Sequence, residues 1–304
     1  MTSGVEQPPS ASASVIIRTK DEAHAIGKTL DAIGSQLVAA HEVIVIDSGS
    51  TDETVPIAER LGARVLRIAP SEWGYARAIN RAAATATGDV LVMVSAHCLP
   101  TDDGWLGSLL RHFDDERVAA VWGPQLRRNR PRPQVGEATR QLPGSYVRET
   151  WTWGLSNANG AVRRRLWEAF PFDEAFPAAE DKQWGREALA RGYHVVHEPA
   201  AAVWHDRHST AAAFKRQRAV MEGFAMMFPE AHGDRPRLAG AAVRAVAAAI
   251  ARHVRARDLR SLLADLRRAP ASLAAIAGGL LARTRVGSER GRDRASDPQS
   301  TGHT

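Results

Sequence analysis

The sequence predicts an α/β fold in which a mostly parallel central sheet is flanked by helices. Short apolar segments rich in β-branched residues alternate with helical stretches along the first hundred residues, which is typical of strand–helix–strand units. These segments are apolar throughout, as in strands that are buried on both faces. The chain has 304 residues, of which 44% are hydrophobic and 24% charged, enough to bury a substantial core. This composition excludes disordered, collagen-like and disulfide-stapled proteins.

The first four predicted strands are separated by helices of a length suited to crossover connections. The strand segments are SVIIR (14–18), EVIVID (42–47), RVLRI (64–68) and DVLVMVS (89–95). The helices between them cover about 22–38, 52–61 and 75–86, and the second can be capped by the Ser50, Thr51 and Asp52 cluster. The sequence therefore predicts a Rossmann-like half in which these strands run parallel.

After Trp105 the alternation is less regular. A strand is predicted at AAVWG (119–123), an exposed loop at the Arg- and Pro-rich 127–133, and a helix from near Arg163. A further helix at 179–192 closes at Gly192 and leads into the strand YHVVHE at 193–198. The Asn-Gly pair at 159–160 has two interpretations, contact of Asn159 with a bound ligand or a turn before the helix.

The charge of the chain is unevenly distributed. Residues 235–304 hold 14 Arg against 5 Asp and Glu, a balance of +9, whereas residues 1–234 have a balance of −3. A nucleic-acid-binding core carries its own positive face, so we expect no nucleic-acid partner. The organisation predicted is a disordered arm (1–13), one globular domain (14–230), a C-terminal helical extension (235–285) and a disordered tail (286–304).

The basic C-terminal helices have two interpretations, packing on the domain or contact with an anionic membrane surface. The uncharged run 269–282 is too short to span a bilayer. Cys98 is the single cysteine, and the first residues lack a charged segment followed by an apolar run, so we expect neither disulfides nor a secretory signal. We expect a cytoplasmic protein, with the inner face of the membrane as an alternative.

Polar residues collect at the carboxyl ends of the predicted strands, where open α/β sheets bind ligands. The groups are Arg18-Thr19-Lys20, Asp47-Ser48, Ser95-Ala96-His97 and, at the start of a later helix, Glu180-Asp181. Any one of them is as well explained by ordinary turn formation, but four together favour a site. Neither GxGxxG nor GxxxxGK[ST] is present, so dinucleotide and P-loop sites are not supported.

Several segments together resemble the family 2 glycosyltransferases, which have the GT-A fold, and in particular their rhamnosyltransferase-like branch. In chain order they are SVIIRTKDEAHAIGKTLDAI, EVIVIDSGSTDETVPIAERLGARV, GYARAINRAAATATGDVLVMVSAHCLPTDDGWL and AAEDKQWGREALARGYHVVHEPAAAVWH. The resemblance covers about residues 14–210. It implies a domain that binds a nucleoside-diphosphate sugar through Arg18, Thr19, Lys20, Glu22, Asp47, Ser48, Asn80, Ser95 and Ala96.

The resemblance also implies a divalent metal, Mn²⁺ or Mg²⁺, at the position of the family's Asp-x-Asp motif. Here that motif reads Ser95-Ala96-His97, so both carboxylates are missing. His97 and His205 are the candidate ligands, with His208 a weaker one, because imidazole is a competent ligand for such ions. The alternative is that each histidine only makes hydrogen bonds within the cleft.

By the same resemblance Asp181 is the general base of an inverting transfer, and Glu180 orients an acceptor hydroxyl. The alternative is a pair that only complements a helix dipole. Asn157, Asn159 and Trp184 are candidates for acceptor binding, and Trp151 and Trp153 are further candidates for stacking on a sugar.

The predicted partners are a nucleoside-diphosphate sugar and a glycan or lipid-linked acceptor. Two other functions stay open at this point. One is a metal-dependent hydrolase that uses His97, His205 and Asp181. The other is a non-catalytic nucleotide-sugar-binding module, suggested by the missing carboxylate at Ser95.

Overall fold

The computed structural model describes residues 10–128, 136–142 and 154–205, and also 219–220, 222–224 and 226–227. The chain divides into two compact units, Met1–Ala175 with Glu180–Arg207, and Phe176–Ala179 with His208–Thr304. In the second unit the described residues from 219 to 227 are helical, and Phe224 and Met227 are buried there. All elements named below belong to the first unit.

Eleven strands and six α-helices are described in the first unit. The strands are β1 (Ala13–Thr19), β2 (Glu42–Asp47), β3 (Arg64–Arg67), β4 (Val90–Ser95), β5 (Cys98–Pro100), β6 (Val118–Trp122), β7 (Gln125–Leu126), β8 (Thr139–Gln141), β9 (Asn159–Arg163), β10 (His194–His197) and β11 (Val203–His205). The helices are α1 (Ile26–Gly34), α2 (Thr54–Arg60), α3 (Tyr75–Ala83), α4 (Trp105–Leu110), α5 (Arg164–Ala169) and α6 (Glu180–Ala190). Short 3-10 turns occupy Pro70–Glu72 and Arg111–Asp114.

The central sheet has eight strands in the order β3-β2-β1-β4-β9-β6-β10-β8. β1 pairs in parallel with both β2 and β4, and β2 pairs in parallel with β3. Val15, Ile16 and Ile17 of β1 are fully buried, as the uninterrupted apolar pattern predicts. The fold is thus α/β with a mostly parallel sheet, and the first half follows the predicted order of elements.

The two faces of this sheet are covered by separate apolar cores. On one face, Ile26 of α1 and Trp105 of α4 pack with Val15 and Val92. On the other, Ile79 of α3 and Trp184 of α6 are part of the core that covers the opposite residues of the same strands. Burial on both faces is what the continuous apolar strands require.

The central position of β9 corrects the sequence prediction of a turn at 159–160. Asn159–Arg163 is a fully buried strand that pairs antiparallel with β4 on one side and with β6 on the other. A side chain at Gly160 would not fit, because a Cβ there would lie 2.6 Å from the Ser156 carbonyl oxygen. The Asn-Gly pair therefore allows close packing instead of a reversal of the chain.

A second, three-stranded sheet lies in the order β5-β11-β7. β11 pairs antiparallel with β5, which places His205 opposite Cys98, and it pairs in parallel with β7. Gly123 makes room for the loop before β11, because a Cβ at this position would lie 1.7 Å from the Ala201 carbonyl oxygen. This small sheet brings residues from distant parts of the chain next to the end of β4.

Element boundaries differ from the predictions mainly at the ends of helices and at the amino terminus. α1 covers Ile26–Gly34 instead of the predicted 22–38, because residues 21–24 form a loop held by side chains described below. Residues 10–13, predicted in the disordered arm, are ordered: Ser12 donates to the Asp89 carboxylate through N–H and Oγ, and Ala13 begins β1. Among the described residues, every helix is too short or too polar to cross a bilayer.

Candidate active site

The loops that follow β1 and β2 are joined to each other by side-chain hydrogen bonds. The Thr51 N–H donates to the Asp21 carboxylate at 2.8 Å, and the Asp21 N–H donates to Ser50 Oγ at 2.8 Å. Asp52 accepts a bond from the Ala23 N–H at 3.1 Å. Because both loops emerge at the carboxyl edge of the sheet, these bonds fix one wall of a cleft there.

Asp47 and Ser48 lie at the end of β2 in this wall. The Asp47 carboxylate is 2% exposed and accepts bonds from the N–H groups of Gly49 and Ser50 and from Ser50 Oγ. Ser48 donates through N–H and Oγ to the Thr19 carbonyl oxygen. Asp47 therefore shapes its own loop, and its contact with the nucleoside-diphosphate sugar stays a prediction.

Three buried polar atoms near the end of β1 lack a hydrogen-bond partner within the described part of the chain. They are Arg18 Nε, Thr19 Oγ1 and Asn157 Oδ1. The Arg18 guanidinium lies 5.2 Å from the centre of the Tyr75 ring and donates to the Asn157 carbonyl oxygen at 3.4 Å. Buried polar groups are normally satisfied, so the place where Arg18 meets Asn157 suits a polar ligand. Lys20, two residues after Arg18, is exposed.

The loop 154–158 reaches the same edge because β9 runs antiparallel to β4. The amino end of β9, at Asn159, pairs with Val94 next to the carboxyl end of β4. The Ser95 N–H donates to the Ala158 carbonyl oxygen at 3.4 Å. Ala96 is buried, and its carbonyl oxygen accepts a bond from Thr29 Oγ1. The ends of β1 and β4 and this loop therefore meet in one place.

Asn157 connects this loop to the acidic pair at the start of α6. Its N–H donates to Asp181 Oδ2 at 3.0 Å, and its side-chain Nδ2 donates to Glu180 Oε1 at 3.0 Å. Asp181 also accepts the Lys182 N–H on Oδ1 at 2.8 Å, and its side chain is half-buried. Asn157 is itself 1% exposed and orients the acidic pair, and because its Oδ1 lacks a partner among the described residues, its contact with an acceptor stays a prediction.

Glu180 and Asp181 occupy different environments. Glu180 is 3% exposed, and burial, with the Asp181 charge as a second cause, raises the pKa of its carboxyl to about 7. Arg18 and the bond from Asn157 act in the opposite direction. A carboxyl buried in this way does not reach an acceptor hydroxyl, which corrects the direct role predicted for Glu180.

Lys182 is a functional candidate that the sequence analysis missed. Its Nζ donates to the Gly154 carbonyl oxygen at 2.6 Å and lies 5.6 Å from the centre of the Trp122 ring. Desolvation lowers the pKa of its ammonium, and the charges of Asp181 and Glu180 oppose that shift. Lys182 thus holds the start of the loop 154–158, and its position beside an acidic pair was the available signal.

His97 and His205 face each other across the ends of β4 and β11. Their Nε2 atoms are 3.0 Å apart. His97 Nδ1 bonds to Glu22 Oε1 at 2.8 Å, and His205 Nδ1 bonds to Gln125 Oε1 at 2.5 Å. His205 is 6% exposed, whereas the His97 side chain is 25% exposed. The structure therefore brings the two predicted metal ligands together. It places Glu22 against His97 Nδ1, the ring nitrogen that faces away from His205.

Gln125 links the histidine pair to the loop 154–158, and the sequence analysis missed it. Its Nε2 donates to Ser156 Oγ at 2.8 Å while its Oε1 faces His205. Ser156 precedes Asn157, which binds the acidic pair, so side-chain contacts connect His205 to the neighbourhood of Asp181. Gln125 lies three residues after the end of β6, where the same strand-end reasoning applies.

The donor set at the histidine pair fits a divalent cation. Among the described residues, the ligand atoms of His97, Cys98 and His205 lie within 4.8 Å of one another. When two nitrogens each bind one ion at about 2.1 Å and occupy neighbouring corners of an octahedron, they lie roughly 3 Å apart. The two Nε2 atoms are separated by nearly this distance. Ser95, at the first position of the expected motif, is half-buried.

Two asparagines predicted to bind donor or acceptor have structural roles instead. Asn80 accepts bonds from Trp167 Nε1 and the Phe172 N–H and donates to the Phe172 carbonyl oxygen, so it fixes the segment after α5. Asn159 is fully buried, with Oδ1 on Trp105 Nε1 and Nδ2 on the Ala201 carbonyl oxygen. The predictions that these amides bind donor or acceptor are therefore wrong.

Trp184 is also a core residue. It is 1% exposed, stacks on Phe170 with ring centres 5.0 Å apart and donates through Nε1 to the Phe170 carbonyl oxygen at 2.7 Å. A ring enclosed in this way cannot stack on a sugar, so that prediction is wrong. Trp151, Trp153 and His208 lie outside the described residues, and their predicted roles are not addressed.

Comparison with known proteins identifies the family of this chain. Residues 14–169, a little over half of the chain, match the sequence model described as Glycosyl transferase family 2. The chain belongs to glycosyl transferase family 2. Its enzyme class is therefore that of a glycosyltransferase. The family match reaches from β1 to the end of α5 and so includes Arg18, His97 and the loop 154–158, whereas Asp181 and His205 lie beyond it.

Two relatives of this family 2 chain are bacterial rhamnosyltransferases. The O-antigen chain rhamnosyltransferase RfbN of Salmonella typhimurium is 30% identical over 210 residues, 65% of this chain and 67% of that protein. The O-antigen chain rhamnosyltransferase WbaN of Salmonella anatum is 30% identical over 184 residues, 56% of this chain and 58% of that protein. The chain thus spans between about half and two thirds of the length of these relatives.

A solved structure supports the GT-A fold. The mannosyltransferase PcManGT from Pyrobaculum calidifontis, solved in complex with GDP-Man and Mn²⁺, aligns with a TM-score of 0.57 at 20% identity. The alignment covers 93% of this chain and 78% of that one. At this identity the likeness is one of fold.

Proposed function

We propose that this family 2 enzyme is an inverting glycosyltransferase with Asp181 as its general base. It moves a sugar from a nucleoside-diphosphate donor to a hydroxyl group of a glycan or of a lipid-linked acceptor. The observation that carries the proposal is the connection of Asp181, through Asn157, to the unsatisfied polar cluster around Arg18. A base and a donor pocket at one edge of the sheet are what a single-displacement transfer requires.

The hydrogen bonds of Asp181 support its role as the base. Both of its known donors are main-chain N–H groups, one of Asn157 and one of Lys182, and they fix the carboxylate without neutralising it. Each carboxylate oxygen keeps a further lone pair for an acceptor hydroxyl. Attack on the anomeric carbon then delivers the hydroxyl proton to Asp181 as the new glycosidic bond forms.

Arg18 and Glu180 support the donor side and the base side of this centre. The Arg18 guanidinium is a fixed positive charge in contact with Asn157 and is suited to a diphosphate, while the orphaned Asn157 Oδ1 can accept a bond from a sugar hydroxyl. Glu180, buried against Asn157, acts through that residue and positions Asp181. Thr19, Lys20, Asp47 and Ser48 complete the proposed donor pocket.

His97 and His205 would hold the divalent ion, with Glu22 and Gln125 fixing the orientation of their rings. When bound, the ion stabilises the negative charge of the departing nucleoside diphosphate. The replacement of both carboxylates of the expected motif by Ser95 and His97 makes these two imidazoles the available ligands.

Replacing Asp181 by Asn tests the proposed base. The amide keeps the shape of the side chain but cannot take a proton, so we expect transfer to fall by about 10²–10⁴-fold while nucleotide binding changes less than about twofold. Transfer is measured with labelled nucleotide sugars and binding by calorimetry. Asp31→Asn, an exposed position on α1, is the control and should leave both unchanged. Full turnover by Asp181→Asn would refute the assignment.

The hydrolase and the non-catalytic binding module are not favoured by the family relationship. Product analysis separates them from the proposed transferase. A transferase forms a glycoside when acceptor is added, a hydrolase releases free sugar at the same rate with or without acceptor, and a binding module consumes no donor.

Contact with an anionic membrane surface stays a prediction for the C-terminal segment, which lies outside the described residues. The alternative is packing on the rest of the protein. If residues 235–304 bind anionic lipid, flotation with phosphatidylglycerol vesicles should recover the full chain at low salt and lose it at high salt, because their net charge is +9. No recovery at either salt concentration would favour packing, and recovery that salt does not change would indicate apolar contact with the lipid instead.

A further inference from the structure

We propose that the His97–His205 pair is a nitrogen-donor cation site that prefers borderline divalent ions such as Co²⁺ and Zn²⁺ to Mg²⁺. The use of this ion in transfer rests on the proposed function, but the ion preference itself does not. The proposal follows from which atoms of the two rings face each other and which groups lie behind them.

The outer nitrogen of each ring faces a hydrogen-bond acceptor. On His97, Nδ1 lies 2.8 Å from the Glu22 carboxylate, which accepts but cannot donate when ionised. On His205, Nδ1 faces the side-chain oxygen of Gln125, whose NH₂ group is already directed to Ser156 Oγ. Both hydrogens are thereby placed on Nδ1, and in the neutral rings both Nε2 atoms present lone pairs.

Two imidazole nitrogens 3.0 Å apart can share one proton, and a divalent cation bound by both nitrogens would take the place of that proton. An outer carboxylate or amide that fixes a ring and makes its inner nitrogen more basic is the usual outer shell of a histidine metal ligand. Here both rings have such a partner, on two different elements. The arrangement therefore has the features of a metal site on both sides of the gap.

The chemistry of the donors determines which ions fit. Mg²⁺ prefers oxygen ligands, whereas imidazole nitrogen favours ions later in the first transition series. In the part of the chain that the structure describes, the metal-capable group is His97, Cys98 and His205, which contains no carboxylate. Glu22 is bonded to the outer nitrogen of His97, so it orients this ligand and leaves the inner nitrogen to bind the ion.

Burial strengthens this preference. His205 is 6% exposed and Cys98 is fully buried, so an ion at the pair has protein on one side and the His97 face toward solvent. A strongly hydrated ion such as Mg²⁺ keeps several waters and gains little from two imidazoles. We infer the order Co²⁺ and Zn²⁺ above Mn²⁺, and Mn²⁺ above Mg²⁺.

The test is direct metal binding to the full chain without nucleotide or acceptor. After removal of bound metal by a chelator, Co²⁺ is titrated and followed by its visible absorption, and Mg²⁺, Mn²⁺ and Zn²⁺ are added as competitors. We expect Co²⁺ to bind at least about tenfold more tightly than Mg²⁺, and Zn²⁺ to displace it.

Variants assign the signal to the pair, which matters because the chain has 11 histidines. His97→Ala and His205→Ala should each remove the Co²⁺ spectrum of this site, while His41→Ala, at an exposed position, should retain it. His97→Asp supplies a carboxylate and should shift the preference toward Mn²⁺ and Mg²⁺. Circular dichroism of each variant checks that it is folded.

Two results would overturn the proposal. One is Co²⁺ affinity no higher than that for Mg²⁺, and the other is a Co²⁺ spectrum that both histidine variants retain. Asp181→Asn separates this outcome from failure of the proposed function, because it should bind Co²⁺ like the unaltered chain even though it does not transfer sugar.

Discussion

Glu180 and Asp181 are adjacent in sequence, but the structure gives them unlike surroundings. Glu180 points into the protein against Asn157, whereas Asp181 is half-buried and accepts two main-chain bonds. When two carboxyl groups lie in environments that differ this much, their acid–base roles separate. The buried Glu180 then helps to fix the position of Asp181 and contributes to the electrostatic field at its carboxylate.

The raised pKa of Glu180 predicts a pH-dependent cost in stability. Its folded-state value of about 7 exceeds the ordinary value of 4.5, so the folded state holds this proton more tightly. The resulting stabilisation is present below pH 4.5 and is lost as the pH rises to about 7. Glu180→Gln, which has no proton to lose, should avoid this fall, which we place on the order of 1–3 kcal/mol.

Urea unfolding of the unaltered chain and of Glu180→Gln at several pH values between 4.5 and 8 measures how the free energy of unfolding of each depends on pH. Glu59→Gln, at a position whose side chain is 57% exposed, is the matched control and should follow the unaltered chain. Parallel curves for Glu180→Gln and the unaltered chain would show that Glu180 does not carry this proton.

Residue type alone was a poor guide to whether a polar or aromatic side chain belongs to the site. Asn80, Asn159 and Trp184 were selected as ligand-binding residues because amides and aromatic rings suit sugars. In the structure their polar atoms bond to carbonyl and indole groups of the protein interior. The same chemistry that recognises a sugar also satisfies a buried backbone, and only burial distinguishes the two uses.

At the scale of elements, β9 determines where the site lies. As an antiparallel strand between β4 and β6, it directs the loop 154–158 to the carboxyl edge of the parallel strands. This loop supplies Asn157 to the acidic pair and Ser156 to Gln125. A turn at 159–160, as predicted, would have left that edge without this loop.

The packing of Gly123 beside β9 predicts a large effect from one methyl group. In Gly123→Ala the new Cβ would lie 1.7 Å from the Ala201 carbonyl oxygen and 2.8 Å from Asn159 Nδ2. We expect a loss of about 1–3 kcal/mol or more in the free energy of unfolding, with reduced transfer, because β9 and the segment before β11 must separate. Chemical denaturation measures the change.

Gly34→Ala is the matched control, because a Cβ there meets nothing within 4 Å and the residue ends α1. It should be neutral or stabilising by up to about 1 kcal/mol. Equal effects at the two glycines would contradict the packing explanation.

For the molecule as a whole, binding of a nucleoside diphosphate should increase the stability of the folded state. A nucleoside diphosphate that binds only the folded state raises the unfolding free energy by about 2.7 kcal/mol at a hundred times its Kd. A thermal-shift screen of nucleoside diphosphates with and without divalent ions measures this, with the free nucleosides as controls. Asp181→Asn should show the same shifts, and the absence of any shift across the panel would contradict a nucleotide pocket.

The sequence by itself determined the α/β class, the succession of the first four strands along the chain and the polar groups at their carboxyl ends. It could do so because continuous apolar strands and alternating helices are local patterns. The family followed from the ordered motifs, and the match over 14–169 confirmed it. The roles proposed for Arg18, Asp181 and the histidine pair stay predictions.

Only the tertiary structure decided which of these residues face one another. The antiparallel insertion of β9, the approach of His205 to His97 and the burial of Asn159 and Trp184 all depend on contacts between segments far apart in sequence. Contacts between distant segments do not appear as a periodic pattern in the sequence. Whether a polar side chain can be buried depends on the partner that reaches it in the folded protein. The positions of Gln125 and Lys182 became evident for the same reason.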